Sequence, residues 1–358
     1  MSRAASPSSR QSVRGELRER EPLSQHTSWR VGGPADRFFE PADRDDLLQF
    51  IARLPAKEPV LWLGLGSNLL VRDGGFRGTV ISLHGALDGL VSAGDFEIYA
   101  EAGVHCARLA KFAQQHKRAG LGFMAGIPGT VGGALAMNAG AWGGETWPQV
   151  IAVEAVFRGG RAEWLEPHDF SWSYRHVDLP NGFLGFLGAR LRVANDEHGE
   201  HERVTREWLA RRKATQPVGK PTAGSTFRNP PGDHAARLIE CCGLKGARIG
   251  GAEVSKLHAN FIVTDEGAKA SDVESLIEHI RNTVRAQSGI DLHPEVRVVG
   301  EPLCTPHASR LTPHVPKISA RSPCSWVAGL RSARSRSGAA RLCIRRSSSA
   351  ASMLMRSI

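Results

Sequence analysis

Three short stretches carry side chains suited to moving protons and holding charge. In "AGSTFRNPPG", Ser225 follows a glycine in a turn-rich segment, with Arg228 and Asn229 just behind it. A hydroxyl there can meet a ligand, although a turn-forming serine fits as well. The absence of a G-x-S-x-G elbow argues against an acyl-enzyme hydrolase. In "FSWSYRHV", Arg175 offers a planar fork matched to carboxylate or phosphate, and Tyr174 adds a hydroxyl. Such a pair also occurs on ordinary surfaces. In "LHPEVRVVGE", Glu295 follows proline at a strand start, where it could be a positioned acid or base. A salt bridge to Arg297 is the simpler alternative.

Two glycine clusters could hold an anion beside these groups. The first, Gly64, Leu65, Gly66, Ser67, Asn68 and Leu69, directly follows the apolar run "PVLWL". The second, "GIPGTVGGALAMNAGAWGG", has seven glycines between residues 126 and 144. Glycine lets backbone amides approach a phosphate without interference from a β-carbon. Thr130 to Asn138 reads as a helix whose start at Pro128–Thr130 aims amides at such a group. Its small residues Gly132, Gly133, Ala134 and Ala136 equally suit close helix packing. Neither cluster matches a dinucleotide or P-loop fingerprint. Two clusters about sixty residues apart, both next to strands, point to one shared diphosphate ligand.

The elements that must position these residues are legible in outline. Asp43 is a candidate N-cap for a helix with Leu47, Phe50, Ile51 and Leu54 on one face. Strands are expected at "PVLWL", "GTVISL", "DFEIYAEAG", Val150 to Phe157 and "GFLGFLGARLRV". Helices are expected from Val104 to Ala119 and from Glu202 to Arg212. Ser271 and Glu274 read as a capping box for a helix to Ser288, closed by Gly289. The result is an alternating α/β or α+β body in at least two parts.

The 358 residues carry a formal charge of +10, but the charge is local. Ten Lys and Arg and no acidic residue lie beyond Glu301, leaving 36 basic and 36 acidic residues before it. The Ser, Arg, Ala and Pro-rich tail lacks apolar periodicity, so disorder is expected there. Nucleic acid is not an expected partner of the neutral body. Of the six cysteines none forms a CxxC pair, and no metal-ligand set is expected. The first 25 residues lack a secretory apolar segment, and no run approaches 18 apolar residues; a cytoplasmic protein without membrane contact is expected.

Taken in order, "HTSWRVGGPAD", "LGLGSNLLVRDGGFRGTVI", "GLGFMAGIPGTVGGALAMNAGAWGGE", "YRH", "KATQPVGKPTAGSTFRNP", "GARIGGAEVSKLHANFIV" and "PEVRVVGE" resemble one family. It is the bacterial flavoenzyme family of UDP-N-acetylenolpyruvoylglucosamine reductases. The likeness covers about residues 26 to 301, and the direct spacing from "YRH" to "GSTF" is similar to the shorter, type II branch. His26 departs from the family's usual asparagine.

The resemblance implies an α+β fold: a two-subdomain FAD-binding module of the PCMH type, a smaller α+β substrate-binding domain and disordered termini. The implied boundaries are 1–25 for an N-terminal extension, 26–95 and 96–212 for the FAD subdomains, 213–293 for the substrate domain and 294–301 for a returning strand. Residues 302–358 are the tail. FAD is the implied cofactor and NADPH the electron donor. Gly64 to Leu69, Gly126, Ile127, Pro128, Gly129, Thr130, Gly132, Gly133, Asn138, Ala139 and Gly140 are the implied FAD contacts. Tyr174, Arg175 and Asn229 are implied to touch the UDP-sugar substrate. Arg175 matches the cationic stabiliser, Glu295 its acidic partner and Ser225 the proton donor. A monomer is expected.

Overall fold

Strands form where apolar residues alternate or cluster between turns, and they fix the frame around both glycine clusters. The computed structural model describes residues 13–303. The expectations for residues 1–12 and for the tail from 304 onward lie outside the described residues. Pro34–Glu40, Phe76–Ser82 and Val60–Leu63 are successive parallel neighbours in one sheet. The helix Arg44–Arg53 makes the crossover, capped by the Asp43 carboxylate, which accepts from the Asp46 N–H at 3.0 Å.

A fourth strand, Glu16–Pro22, pairs antiparallel with Pro34–Glu40 and corrects the expectation of disorder through residue 25. Its sequence, ELREREP, is too polar to announce a strand. It forms because it is an edge with largely exposed side chains, held by the backbone ladder and by cross-strand pairs such as Arg18 with Glu40 at 2.6 Å.

The second sheet is antiparallel, in the order Ala162–Leu165, Val150–Phe157, Phe183–Arg192, Glu97–Glu101, Leu90–Ser92. The helix Cys106–Gln115 and the six-residue helix Val131–Ala136 pack their apolar faces into the same core as this sheet. That core also takes in Phe39, Leu47 and Ile81, so the first two sheets share buried side chains.

A three-stranded sheet of Arg248–Ile249, Ala252–Val254 and Ile262–Thr264, with helices Ala235–Cys241 and Ala270–Ser288, builds a separate core. The long helix buries Val273, Leu276, Ile277, Ile280 and Val284, as its periodicity predicts, and ends at Gly289 in the left-handed region. Its start differs from expectation. The helix begins at Ala270, and the Asp73 carboxylate caps it by accepting from the Ala270 and Ser271 N–H groups at 2.8 and 3.0 Å. Glu274 is drawn into a pair with Arg72 instead of a capping box. A carboxylate two hundred residues away thus supplies what the local sequence only suggested.

Two segments stitch this smaller unit to the rest. Trp29 donates its indole N–H to the Ile262 carbonyl and accepts from the Thr264 hydroxyl at its own carbonyl. Arg297–Val299 pairs in parallel with Leu69–Val71, the strand that leaves the first glycine cluster. Glu295 is thereby brought beside that cluster.

Candidate active site

The two-residue turn of a short hairpin presents Arg175. Ser171–Ser173 pairs with His176–Asp178, leaving Tyr174 and Arg175 between Ser173 and His176. Arg175 adopts φ +57°, a left-handed conformation that costs energy for a residue with a β-carbon. Three contacts hold it. Its Nε donates to Glu295 Oε1 at 2.9 Å, and its two terminal nitrogens donate to the carbonyls of Asn138 at 3.3 Å and Gly140 at 2.8 Å. Its guanidinium also lies 4.8 Å from the centre of the Tyr174 ring.

Glu295 and Arg175 are almost equally buried, with side-chain exposures of 13% and 14%. Burial pushes the Glu295 carboxyl above the usual glutamate value, against the opposing pull of Arg175 and Arg228. Desolvation disfavours the charged form, and here it wins over the neighbouring cations. An acid held this way retains its proton to higher pH than a free glutamate.

Ser225 is fixed through its successors. Thr226 O accepts from the Glu295 N–H at 2.8 Å, Phe227 bridges Pro294, and the Arg228 N–H donates to His293 O at 2.9 Å. On the other side, Asn260 binds the Phe227 backbone twice, accepting from its N–H at 3.0 Å and donating to its carbonyl at 2.8 Å. The loop carrying Ser225 is therefore clamped between Asn260 and the strand of Glu295. Asn260→Ala leaves the buried Phe227 N–H and C=O unpaired, so a loss of about 2–4 kcal/mol in chemical denaturation is expected. A loss below about 0.5 kcal/mol would mean the clamp is dispensable.

Arg175, Ser225 and Glu295 line one cleft of about 280 Å³, together with Ser67, Asn68, Gly126, Ile127, Pro128, Ala139 and Gly140. The glycine clusters meet there. A β-carbon at Gly64 would lie 2.5 Å from the Thr130 hydroxyl, and one at Gly126 would lie 2.5 Å from the Trp142 ring. The first addition would force the two clusters apart, and the second would displace the Trp142 ring within its own cluster.

Not every predicted contact faces the cleft. At the start of the helix Val131–Ala136, most of the first amides are taken by protein groups. The Val131 N–H donates to Val104 O, that of Gly132 to Ala102 O and that of Gly133 to the Thr130 hydroxyl. The first two bonds dock the short helix on its neighbours, which is the packing use of small residues, and the third is its own Thr130 cap. Leu69 is buried in the strand, and Asn138 is fully buried with its amide bonded to protein groups. Tyr174 and Asn229 stand outside the cleft lining; the Asn229 side chain accepts from the Ala235 N–H at 3.1 Å.

The first cluster, also expected to face the diphosphate, has several amides without an acceptor among the described residues. Gly66, at φ +59°, turns the chain tightly against the His26 carbonyl, a position with no room for a β-carbon. Among the described residues, the N–H groups of Leu65, Gly66, Ser67 and Asn68 have no hydrogen-bond acceptor. Consecutive free amides around a left-handed residue form a nest for an anion. That nest and the bare backbone of Gly126 and Gly140 fit a cofactor with a diphosphate and a flat ring. Gly64 to Asn68 would hold the diphosphate, and the 126–140 segment would run along the ring.

The cleft also has residues that the sequence did not single out. Arg212, near the end of the helix Glu200–Thr215, lines it and pairs with Gln216 Oε1 at 3.1 Å. Burial lowers its pKa, and among the described residues no carboxylate balances its charge. Trp142 forms part of the wall and stacks on Trp208 at 5.0 Å. Arg212 sits in a helix full of exposed charges, so nothing local distinguished it. Trp142, inside the glycine-rich stretch, was the one available signal.

Comparison with known proteins agrees with this architecture. A family model described as "FAD binding domain" matches residues 35–166, and one described as "UDP-N-acetylenolpyruvoylglucosamine reductase, C-terminal domain" matches residues 216–299. The chain is 54% identical over 300 residues to the UDP-N-acetylenolpyruvoylglucosamine reductase of Methylococcus capsulatus, covering 84% of this chain and 96% of that one. It is 53% identical over 287 residues to that of Alkalilimnicola ehrlichii, covering 80% and 96%. The crystal structure of the Thermus caldophilus reductase superposes with a TM-score of 0.68 at 34% identity, covering 80% of this chain and 98% of that one.

Proposed function

Because the chain belongs to the UDP-N-acetylenolpyruvoylglucosamine reductase family, we propose that it reduces UDP-N-acetylenolpyruvoylglucosamine to UDP-N-acetylmuramate. It is an FAD-dependent oxidoreductase of peptidoglycan precursor synthesis, with NADPH as electron donor. The single observation that carries the assignment of roles is the cleft in which Arg175, Glu295 and Ser225 converge beside the free amides of the first glycine cluster.

FAD, when bound, supplies the hydride that reduces the enolpyruvyl group at C3. The chain must manage what that leaves: negative charge between C2 and the neighbouring carboxylate, and the need for a proton at C2. Arg175 presents cationic hydrogen-bond donors to the developing enolate, and its three contacts fix the fork before substrate arrives. Glu295, whose carboxyl burial pushes above the usual glutamate value, donates to the enolate oxygen in its protonated form or orients Arg175. Ser225 gives the proton to C2. A hydroxyl is a weak acid, so this works because the carbanion is strongly basic and the clamped loop fixes the geometry.

Tyr174 and Asn229 contact the substrate at the rim, and the enzyme acts as a cytoplasmic monomer without nucleic acid. Among the described residues no helix is long and apolar enough to cross a membrane. The test is direct. Purified protein is expected to carry FAD, to be bleached at the flavin band by NADPH without oxygen, and to regain colour when the enolpyruvyl sugar nucleotide is added. Recolouring by oxygen but not by that nucleotide would reassign the protein to a different flavin oxidoreductase.

A further inference from the structure

Asn138 sits at the junction of everything that holds Arg175. It is 0% exposed and adopts φ +45°, so two neighbouring-in-space residues with β-carbons, Asn138 and Arg175, are both in the left-handed region. Such conformations persist only where the surroundings over-determine them. Its side-chain amide donates to Glu145 Oε2 at 3.0 Å and to the Ser173 carbonyl at 3.1 Å. Its side-chain oxygen accepts from the Trp147 N–H at 3.1 Å. Its own carbonyl accepts from Arg175 at 3.3 Å.

These bonds converge on the hairpin from two directions. Ser173 is the last strand residue before the Tyr174–Arg175 turn, so the bond to its carbonyl fixes the turn itself. Trp147 stacks on Trp172, the preceding hairpin residue, with ring centres 5.4 Å apart, and anchors its indole N–H on Leu135 O. One buried side chain thus ties the hairpin's backbone and its aromatic support to the segment whose carbonyls grip Arg175. With both amide hydrogens engaged and the residue fully buried, Asn138 has no side-chain donor left for a ligand.

From this geometry we infer that Asn138 is a positioning residue for the reaction, which holds the guanidinium of Arg175 on Glu295 without touching substrate or cofactor itself. The inference rests on the reductase reading above. Asn138→Gly is the informative variant, because glycine accepts φ +45° and keeps the carbonyl to Arg175 while losing the three side-chain bonds.

The experiment is a double-mutant cycle on steady-state turnover: wild type, Asn138→Gly, Arg175→Lys and both together. Asn138→Gly is expected to lower kcat about tenfold with KM for the sugar nucleotide within about twofold, as expected for a group misplaced only in the transition state. In the Arg175→Lys background the same change is expected to lower kcat less than about twofold, since the lysine has no fork to misalign. Equal losses in both backgrounds, or no loss in either, would overturn the inference. Should Asn138→Gly not fold, Glu145→Ala, which removes the acceptor fixing the amide's orientation, enters the same cycle with the same criteria. Wild-type protein that turns over no enolpyruvyl sugar nucleotide would sink the reductase reading itself, which is a separate result.

Discussion

Ser225→Ala is expected to leave reduction of the flavin by NADPH within about twofold of wild type while slowing transfer to the enolpyruvyl substrate by about 10² to 10⁴. The asymmetry follows from where the hydroxyl acts. Proton delivery to C2 belongs only to the half-reaction with substrate, and the NADPH half-reaction needs no proton from the protein at that atom. Alanine keeps the backbone of the loop, and the bonds of Thr226, Phe227 and Arg228 that clamp it do not involve the serine side chain. Misfolding is therefore a poor explanation for a large loss. Stopped-flow absorbance at the flavin band separates the two half-reactions in one instrument. Equal slowing of both would place Ser225 in cofactor binding, and unchanged transfer would move the proton source elsewhere in the cleft.

The second large effect is expected at Glu295. Burial raises the pKa of its carboxyl, so its protonated form persists above the range of an ordinary glutamate, whose value is about 4.3. If the neutral acid is the working form, turnover falls as pH rises through the raised value. Glu295→Gln keeps an acceptor for Arg175 but has no ionisable proton. It is expected to lower kcat by about 10² to 10³ and to remove that alkaline fall. A fall retained unchanged in the variant would assign it to another group.

Stability gives an independent reading of the same group, and its sign is opposite to that of a salt-bridged carboxylate. With the folded pKa above the unfolded one, the folded state holds the proton more tightly. Stability contributed by the neutral form is complete below the unfolded value and is lost as pH rises from there to the raised folded value. The glutamine variant is expected to lack this decline. Chemical denaturation across that window measures it, and a decline of the same size in both proteins would mean that Glu295 is not its source.

Much of the machinery was legible along the chain because it depends on neighbours within a few residues. The Asp43 cap, the apolar face of the helix ending at Ser288 and the strand Val150–Phe157 all follow from local spacing. The glycine clusters announced backbone that must come close to something. The edge strand Glu16–Pro22 was not legible, because a half-exposed strand has no apolar alternation to betray it. The cap at Asp73 was equally hidden, because its helix begins almost two hundred residues later.

By itself, then, the sequence determined the chemical inventory of this protein: a fork, a hydroxyl, a carboxyl and two runs of bare backbone, in an order similar to that of one enzyme family. The resemblance paired Glu295 with Arg175, 120 residues away, but the sequence could not say that burial would overcome that cation and leave the acid raised. Nor could it say which amides near the clusters stay free, because that depends on what packs against them. Val104 and Ala102 take the amides of Val131 and Gly132, while those of residues 65–68 remain open. Asn138, an expected cofactor contact, lies buried with its side chain bonded to Glu145, Ser173 and Trp147 and its carbonyl on Arg175. Desolvation and long-range hydrogen bonding are properties of the folded packing, and only the tertiary structure could decide them.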